Sequence, residues 1–173
     1  FCGHRISGNL NFPRRVATTY LNAAVYSIHK VFFSAVAGAL KRRGLDLPLR
    51  ILKADGGNIN LTSSLDCPAQ TIFSGPSASV MGSIAHAPAD SDSLVLDIGG
   101  TTTDMAVLVD GVPVLEPLGI EAGGIKTLVR ALKTRSIALG GDSEVTVAKG
   151  QVHVGPRRLG PAMAFGGPVP TPS

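Results

Sequence analysis

Residues 94–104 read Leu-Val-Leu-Asp-Ile-Gly-Gly-Thr-Thr-Thr-Asp, and no other stretch restricts the fold so tightly. An apolar run ends in Asp97, crosses two glycines and three threonines, and reaches Asp104. It resumes at once as Met105-Ala106-Val107-Leu108-Val109. Two strands joined by a tight turn are expected here. Gly99 and Gly100 can accept positive φ and let backbone amides approach a ligand. Thr101, Thr102 and Thr103 add hydroxyl donors. Asp97 and Asp104 add carboxylates able to orient a hydrated divalent cation against phosphate. Asp97 closes an apolar run, where an unpaired carboxylate would be costly to bury. A bonded or metal-facing role is therefore expected for it.

The bulk properties narrow the field further. The chain has 173 residues, enough for one ordinary domain or two small halves. Hydrophobic residues make up 44% and charged residues 16%, so a core can form. A net charge of +4 suits anionic ligands but is too small to argue for nucleic acid. Aromatics are 5% and Trp is absent, so base-stacking platforms are poorly supplied. Cys2 and Cys67 have neither zinc-motif spacing nor the density of a disulfide framework, and free thiols in a cytoplasmic setting are expected. No apolar run is read as approaching the roughly 18 residues of a membrane span, and no signal peptide is seen. The chain opens on Phe1 and closes in a Pro-rich tail, so it reads as a piece of a longer protein.

Periodicity places the elements. Residues 1–15 read as irregular, with Gly3, Gly8 and Pro13 as breakers. Thr18 or Thr19 is expected to cap a long helix. Leu21, Val25, Ile28, Phe32, Ala35 and Ala39 lie on what should be its buried stripe. His29 falls off that stripe and is expected in solvent. Lys41 to Arg43 suit the last turn, and Gly44 stops it. Leu49–Ala54 is a strand candidate, running into the turn Asp55-Gly56-Gly57, and residues 58–72 read as loop. Ser74-Gly75-Pro76-Ser77 should open a small-residue helix over 76–87 with Pro76 in its first position. Ala87–Ser93 is the best linker. Residues 94–97, 104–109 and 112–115 read as strands. Gly123-Gly124 precedes Ile125, Leu128, Val129 and Leu132, which fit a helix whose N-terminus could face phosphate. Ile137–Leu139 runs into Gly140-Gly141-Asp142-Ser143. There a glycine pair would let a flat ring lie against the backbone, with a plain turn as the alternative. A last hairpin is expected around Lys149-Gly150. No Gly-x-Ser-x-Gly elbow and no ligand-spaced histidines occur, so nucleophilic or zinc chemistry is not indicated.

Taken together, the sequence resembles the hydantoinase/N-methylhydantoinase A and 5-oxoprolinase family, within the actin/sugar-kinase/Hsp70 ATPase superfamily. The strings that carry the resemblance are Ile6-Ser7-Gly8, Thr18-Thr19-Tyr20-Leu21-Asn22-Ala23-Ala24, Asp55-Gly56-Gly57 and Ser74 to Val80. Asp97 to Asp104 and Gly140 to Ser143 complete the set. They run in family order along nearly the whole chain. One departure is Asp142, where the family often has a third glycine.

The resemblance implies an α/β fold of ribonuclease-H-like lobes that clamp a nucleotide. Residues 1–90 would end the first lobe, with a crossing helix, and residues 91–173 would start the second. It implies ATP and Mg²⁺ as cofactors. Asp97 would act on the metal–water shell and as a catalytic group, with Asp104 in support. Gly99, Gly100, Thr101, Thr102 and Thr103 would cradle phosphate oxygens. Gly140, Gly141 and Ser143 would border the adenosine, while Gly123 and Gly124 are cofactor-binding candidates only as the expected helix N-terminus. The implied reaction is ATP-dependent opening of a cyclic amide, of hydantoin or 5-oxoproline type, by phosphorylation of the amide oxygen. A related cyclic ketone is a neighbouring substrate class. The implied partners are a small cyclic amide and a second subunit or domain, in an oligomer, with no nucleic acid and no membrane. A small-molecule kinase or a non-catalytic nucleotide-binding regulatory module are the competing readings. The piece alone is expected to be inactive, with an unfinished sheet edge exposed.

Overall fold

The computed structural model describes residues 1–88 and 90–173. The expected linker over 87–93 therefore includes one residue, Ala89, outside the described set. The chain is a mixture of helix and sheet, and every strand pairing among the described residues is antiparallel. It divides into two compact units. The first takes Phe1–Ala85 and Val114–Lys133, and the second takes His86–Pro113 and Thr134–Ser173. Residues 114–133 group with the first unit although they follow the start of the second.

The first unit opens with one turn of helix, α1 (Gly3–Ile6), and the long α2 (Phe12–Arg42). The cap of α2 is Asn11, not Thr18 or Thr19: the Asn11 side chain accepts from the Arg14 amide at 3.1 Å, and Pro13 sits in the first turn. That first turn needs no amide donor from proline, so the expected breaker starts the helix instead. Gly44, at φ 72°, ends it as anticipated. The buried face of α2 is polar. Thr18, Asn22 and His29 are its buried residues, while Ile28, Val31 and Phe32 are 76%, 71% and 58% exposed. This reverses the expected stripe and places His29 inside.

The reason lies in what α2 packs against. The chain continues through β1 (Arg50–Leu52), β2 (Asn58–Asn60), α3 (Leu61–Asp66) and a short 3-10 helix at Pro68–Thr71. Residues 58–72 are therefore ordered elements rather than loop. Short helices leave backbone groups unpaired at their ends. Asn22 meets two of them, donating to the Asp66 carbonyl at 3.1 Å and accepting from the Ala69 amide at 3.0 Å. His29 Nε2 lies 2.9 Å from the Ser64 hydroxyl. Burial pushes the His29 pKa below its ordinary value. By length and composition α2 is also long and apolar enough to cross a membrane, contrary to the expectation that no run approaches a span. A single helix of that kind does not by itself define a membrane protein.

Helix α4 (Ser74–Ile84) follows. It starts two residues before Pro76, with Phe73 in the left-handed region at its N-cap, and ends at Ile84 rather than 87. The chain then builds β3 (Ser93–Ile98), β4 (Thr103–Val109) and β5 (Val112–Pro113) in the second unit. It returns as an arm of short strands: β6 (Leu115–Glu116), β7 (Glu121–Ala122), β8 (Ile125–Lys126) and β9 (Ala131–Leu132). β6 pairs with β9 and β7 with β8. No helix follows Gly123-Gly124. Those glycines, at φ 58° and 80°, form the turn between β7 and β8, so the reading of a helix N-terminus there fails. Val129 and Ala131 of the arm join Ala54 and Ala69 in a buried cluster, against which Leu21, Ile72 and Ile120 pack.

The second unit is completed by β10 (Thr134–Ile137) and the hairpin of β11 (Val145–Ala148) and β12 (Gln151–Val154) around Lys149-Gly150. β3 pairs along one edge of β4. β10 and β5 share the other edge, at Thr103–Ala106 and Leu108–Val109 respectively. Ala106 and Leu108 are buried on the sheet face that also carries Asp97 and Asp104. Leu94, Leu96, Ile98 and Val107 on the opposite face are exposed.

Candidate functional site

The β3–β4 register sets the geometry of the site. Asp97 pairs with Asp104 and Ile98 with Thr103, so residues 99–102 form the tip. The Gly99 amide donates to the Thr102 carbonyl at 2.9 Å and closes it. Neither Gly99 nor Gly100 takes positive φ, contrary to the expectation from sequence. Their value is close approach. A Cβ on Gly100 would lie 2.6 Å from Asp142 Oδ2. A Cβ on Gly140 would lie 2.5 Å from the carbonyl oxygens of both Gly99 and Gly100.

Two motifs far apart in sequence are joined by this packing. The Gly141 amide donates to the Gly99 carbonyl at 2.9 Å, and the Asp142 amide to the Gly100 carbonyl at 2.8 Å. With their carbonyls anchored, Gly100, Thr101 and Thr102 keep amides that meet no acceptor among the described residues, and all three are exposed. The Thr101 and Thr102 hydroxyls are likewise unbonded there. A tip of outward amides and hydroxyls on a fixed base is suited to binding oxyanions.

The other expected site residues have different tasks. The Thr103 hydroxyl is buried and donates to the Leu139 carbonyl at 2.7 Å, so it braces the hairpin. Ser143 is fully buried, and its hydroxyl accepts from the Gly140 amide at 3.0 Å, so it shapes the turn from within. Gly141 is buried beside the Ser173 side chain. Asp104 accepts a hydrogen bond from the Ser136 hydroxyl. Asp97 is exposed, and the burial cost invoked from sequence does not apply to it. Gly123 and Gly124 belong to the other unit. Asp142, against Gly100, is the residue that sequence reading set aside. Its only sequence signal was its departure from a glycine pattern.

No three metal-ligating side chains converge among the described residues. A hydrated Mg²⁺ needs no such cluster, because it keeps most of its water and takes its remaining oxygens from a carboxylate and a phosphate.

In the first unit the remaining motifs also meet. Gly56, at φ 81°, turns the chain where a Cβ would lie 2.6 Å from the Met81 sulfur. The buried Ser77 hydroxyl donates to the Ala54 carbonyl, which also accepts from the Leu132 amide at 2.8 Å. Ser74 to Ser77 and Asp55-Gly56-Gly57 are thus one packed joint.

The class of protein is settled by comparison. The sequence model of the Hydantoinase/oxoprolinase family matches residues 15–172. The chain therefore belongs to the hydantoinase/oxoprolinase family. Its fold is similar to a region of acetone carboxylase, solved in a nucleotide-free state in work on ATP-dependent acetone carboxylation. The TM-score is 0.66 at 21% sequence identity, covering 92% of this chain. The chain spans 23% of the length of that protein. No curated protein sequence matches.

Proposed function

We propose that this chain is the phosphate-binding part of an ATP-dependent enzyme that activates a small cyclic amide by phosphorylating its oxygen, as a prelude to ring opening. The observation that carries the reading is the hairpin tip, where three amides and two hydroxyls face outward from a base fixed by Gly140 to Asp142. Gly100, Thr101 and Thr102 would hold phosphate oxygens by backbone and hydroxyl donors. Such transfer is largely positioning and charge stabilisation, which a rigid backbone cradle can supply. Mg²⁺, when bound, would neutralise phosphate charge beside Asp97 and Asp142. Asp97 would orient the metal's water, with Asp104 supporting its strand partner. Gly140 and Gly141 act through the base of the tip rather than as a surface for adenine.

The resemblance in fold to acetone carboxylase supports a second substrate class, a ketone, activated by the same phosphorylation of a carbonyl oxygen. A small-molecule kinase is the competing reading, and the Ser74–Ser77 segment argues against it. The full enzyme would carry a second subunit or domain, and the proposed setting is cytoplasmic.

The test is calorimetric titration of Mg-ATP into the chain and into the full-length polypeptide encoded with it, beside Asp97→Asn and Gly99→Val. Binding lost in Gly99→Val and weakened in Asp97→Asn supports the reading. Binding indifferent to both changes places the nucleotide elsewhere and overturns it.

A further inference from the structure

The outward face of α2 carries an apolar row. Phe12, Val16, Tyr20, Ala24, Ile28 and Phe32 recur at every fourth residue. Phe12, Val16 and Tyr20 are 78%, 52% and 66% exposed, and Ile28, Phe32 and the adjacent Val31 are more than half exposed as well. These large side chains together offer on the order of 700 Å². That exceeds the few hundred Å² a monomer ordinarily shows as one patch, and it approaches the roughly 800 Å² that each partner gives to a stable interface.

The row has a hole towards one end and a knob at the other. A cavity of about 570 Å³ opens between α1 and the first turns of α2, and Phe1, Phe12, Val16, Tyr20 and Ala23 are among its lining. Its walls are braced. Phe1 stands edge-on to Tyr26 with ring centroids 5.3 Å apart. Arg15 Nη2 donates to the Asn9 carbonyl at 2.7 Å, and a Cβ on Gly3 would lie 3.0 Å from Arg15 Cγ, so α1 sits tightly on α2. Further along, the exposed Phe32 ring is held edge-on by Phe33 at 5.0 Å. Between hole and knob the row is slimmest, at Ala24, with Ala23 and Ser27 beside it, all exposed.

Charge narrows what can lie there. A two-fold contact sets each group near its own copy, so exposed charges would meet their like. Residues 16–28 include no Asp, Glu, Lys, Arg or His, and His29 is buried. The charged residues of α2, Arg14, Arg15, Lys30, Lys41 and Arg42, all lie outside that stretch. Rows at every fourth residue are ridges along which helices pack at about 50°. Laid antiparallel beside its own copy about a two-fold axis at Ala24, this row sets Tyr20 next to Ile28 and Val16 next to Phe32. The members of each pair are equally far from residue 24, so the Phe32 ring of each copy meets the cavity around Val16 of the other.

We infer that α2 is a self-association face: two copies of this chain cross antiparallel at Ala24, each inserting Phe32 into the cavity between α1 and α2 of the other. The inference rests on the first unit alone and does not require the nucleotide reading of the hairpin.

Sedimentation equilibrium of the 173-residue chain tests it. A reversible dimer with a micromolar dissociation constant is expected, and below that concentration the row is the surface of a monomer. Phe32→Ala should weaken the dimer about tenfold or more. Ala24→Glu, which sets two like charges at the axis, should abolish it. Both residues are exposed, so circular dichroism should be unchanged. The register is read by cross-linking in a chain carrying Cys2→Ser and Cys67→Ser. Ala24→Cys should then form a disulfide-linked dimer with oxidised glutathione. Val16→Cys and Phe32→Cys should cross-link when mixed, and neither alone. A monomer at every concentration, a dimer indifferent to Phe32→Ala and Ala24→Glu, or cross-linking that ignores this register would overturn it. So would a monomer that binds phosphatidylglycerol vesicles through this row, or Ala24→Cys closed to maleimide in a monomer of the full-length polypeptide.

Discussion

The Gly141 amide donates to the Gly99 carbonyl at 2.9 Å. Through that bond a turn after β10 holds the tip of the β3–β4 hairpin, so its outward amides are positioned by residues some forty places further along the chain.

Gly140 is the tightest point of that contact, since its missing Cβ faces two backbone carbonyls that cannot swing away. Gly140→Ala should destabilise the chain by about 1–3 kcal/mol in urea unfolding. Gly141→Ala meets chiefly the Ser173 side chain, which can move, and should cost much less. Equal losses would mean that the carbonyl contact is not the constraint.

Asp142 places a carboxylate against Gly100, where the proposed phosphate would sit. Two anions there require a cation between them. On the nucleotide reading, Asp142→Asn should strengthen metal-free ATP binding severalfold and reduce the dependence on Mg²⁺. A titration with and without chelator checks both, and an unchanged Mg²⁺ dependence would count against the arrangement.

Asn22 is fully buried and satisfies two backbone groups, so Asn22→Ala should leave a donor and an acceptor stranded. The expected loss is about 1–3 kcal/mol per stranded group. Ile28→Ser, on the outward face of the same helix, should stay within about 0.5 kcal/mol in this chain.

His29 carries a pH dependence. Its folded pKa is lowered from 6.5 by burial, with Ser64, Thr71 and the Phe33 ring around it. The unfolded chain then binds the proton more readily. Stability should be full above pH 6.5 and fall as the pH drops from there towards the lowered value. His29→Asn should flatten that slope in unfolding midpoints measured across the range.

Cys67 should alkylate more slowly than Cys2. Burial, and then the neighbouring Asp66 charge, push the Cys67 thiol above its ordinary value, whereas Cys2 is exposed. The thiolate is the reacting form. Peptide mapping after brief iodoacetamide treatment should find Cys2 modified first, with the gap closing as the pH is raised.

Local rules recovered the β3–β4, β4–β5 and β11–β12 hairpins, because their alternation and glycine turns are contained within a dozen residues. Gly44 was equally legible as a helix stop. The orientation of α2 was not, since its polar face is chosen by the Asp66 carbonyl and Ala69 amide, groups that only the folded short helices expose. The arm after Gly124 deceived for another reason. Ile125, Leu128, Val129 and Leu132 fit a helical period, yet Thr127, Val129 and Ala131 are the buried alternation of an extended segment. So short a run does not separate the two periods. At the site, the glycine motifs were visible, but not that Gly140 serves Gly99 and Gly100 by packing, nor that Thr103 and Ser143 turn inward.

The return of residues 114–133 to the first unit has a consequence for synthesis. Val129 and Ala131 supply half of the buried cluster around Ala54, and they leave the ribosome only after β3, β4 and β5 have been made. The amino-terminal unit must therefore wait, unfinished, while the beginning of the other unit emerges. Cutting the gene near codon 90 would not release a self-sufficient half.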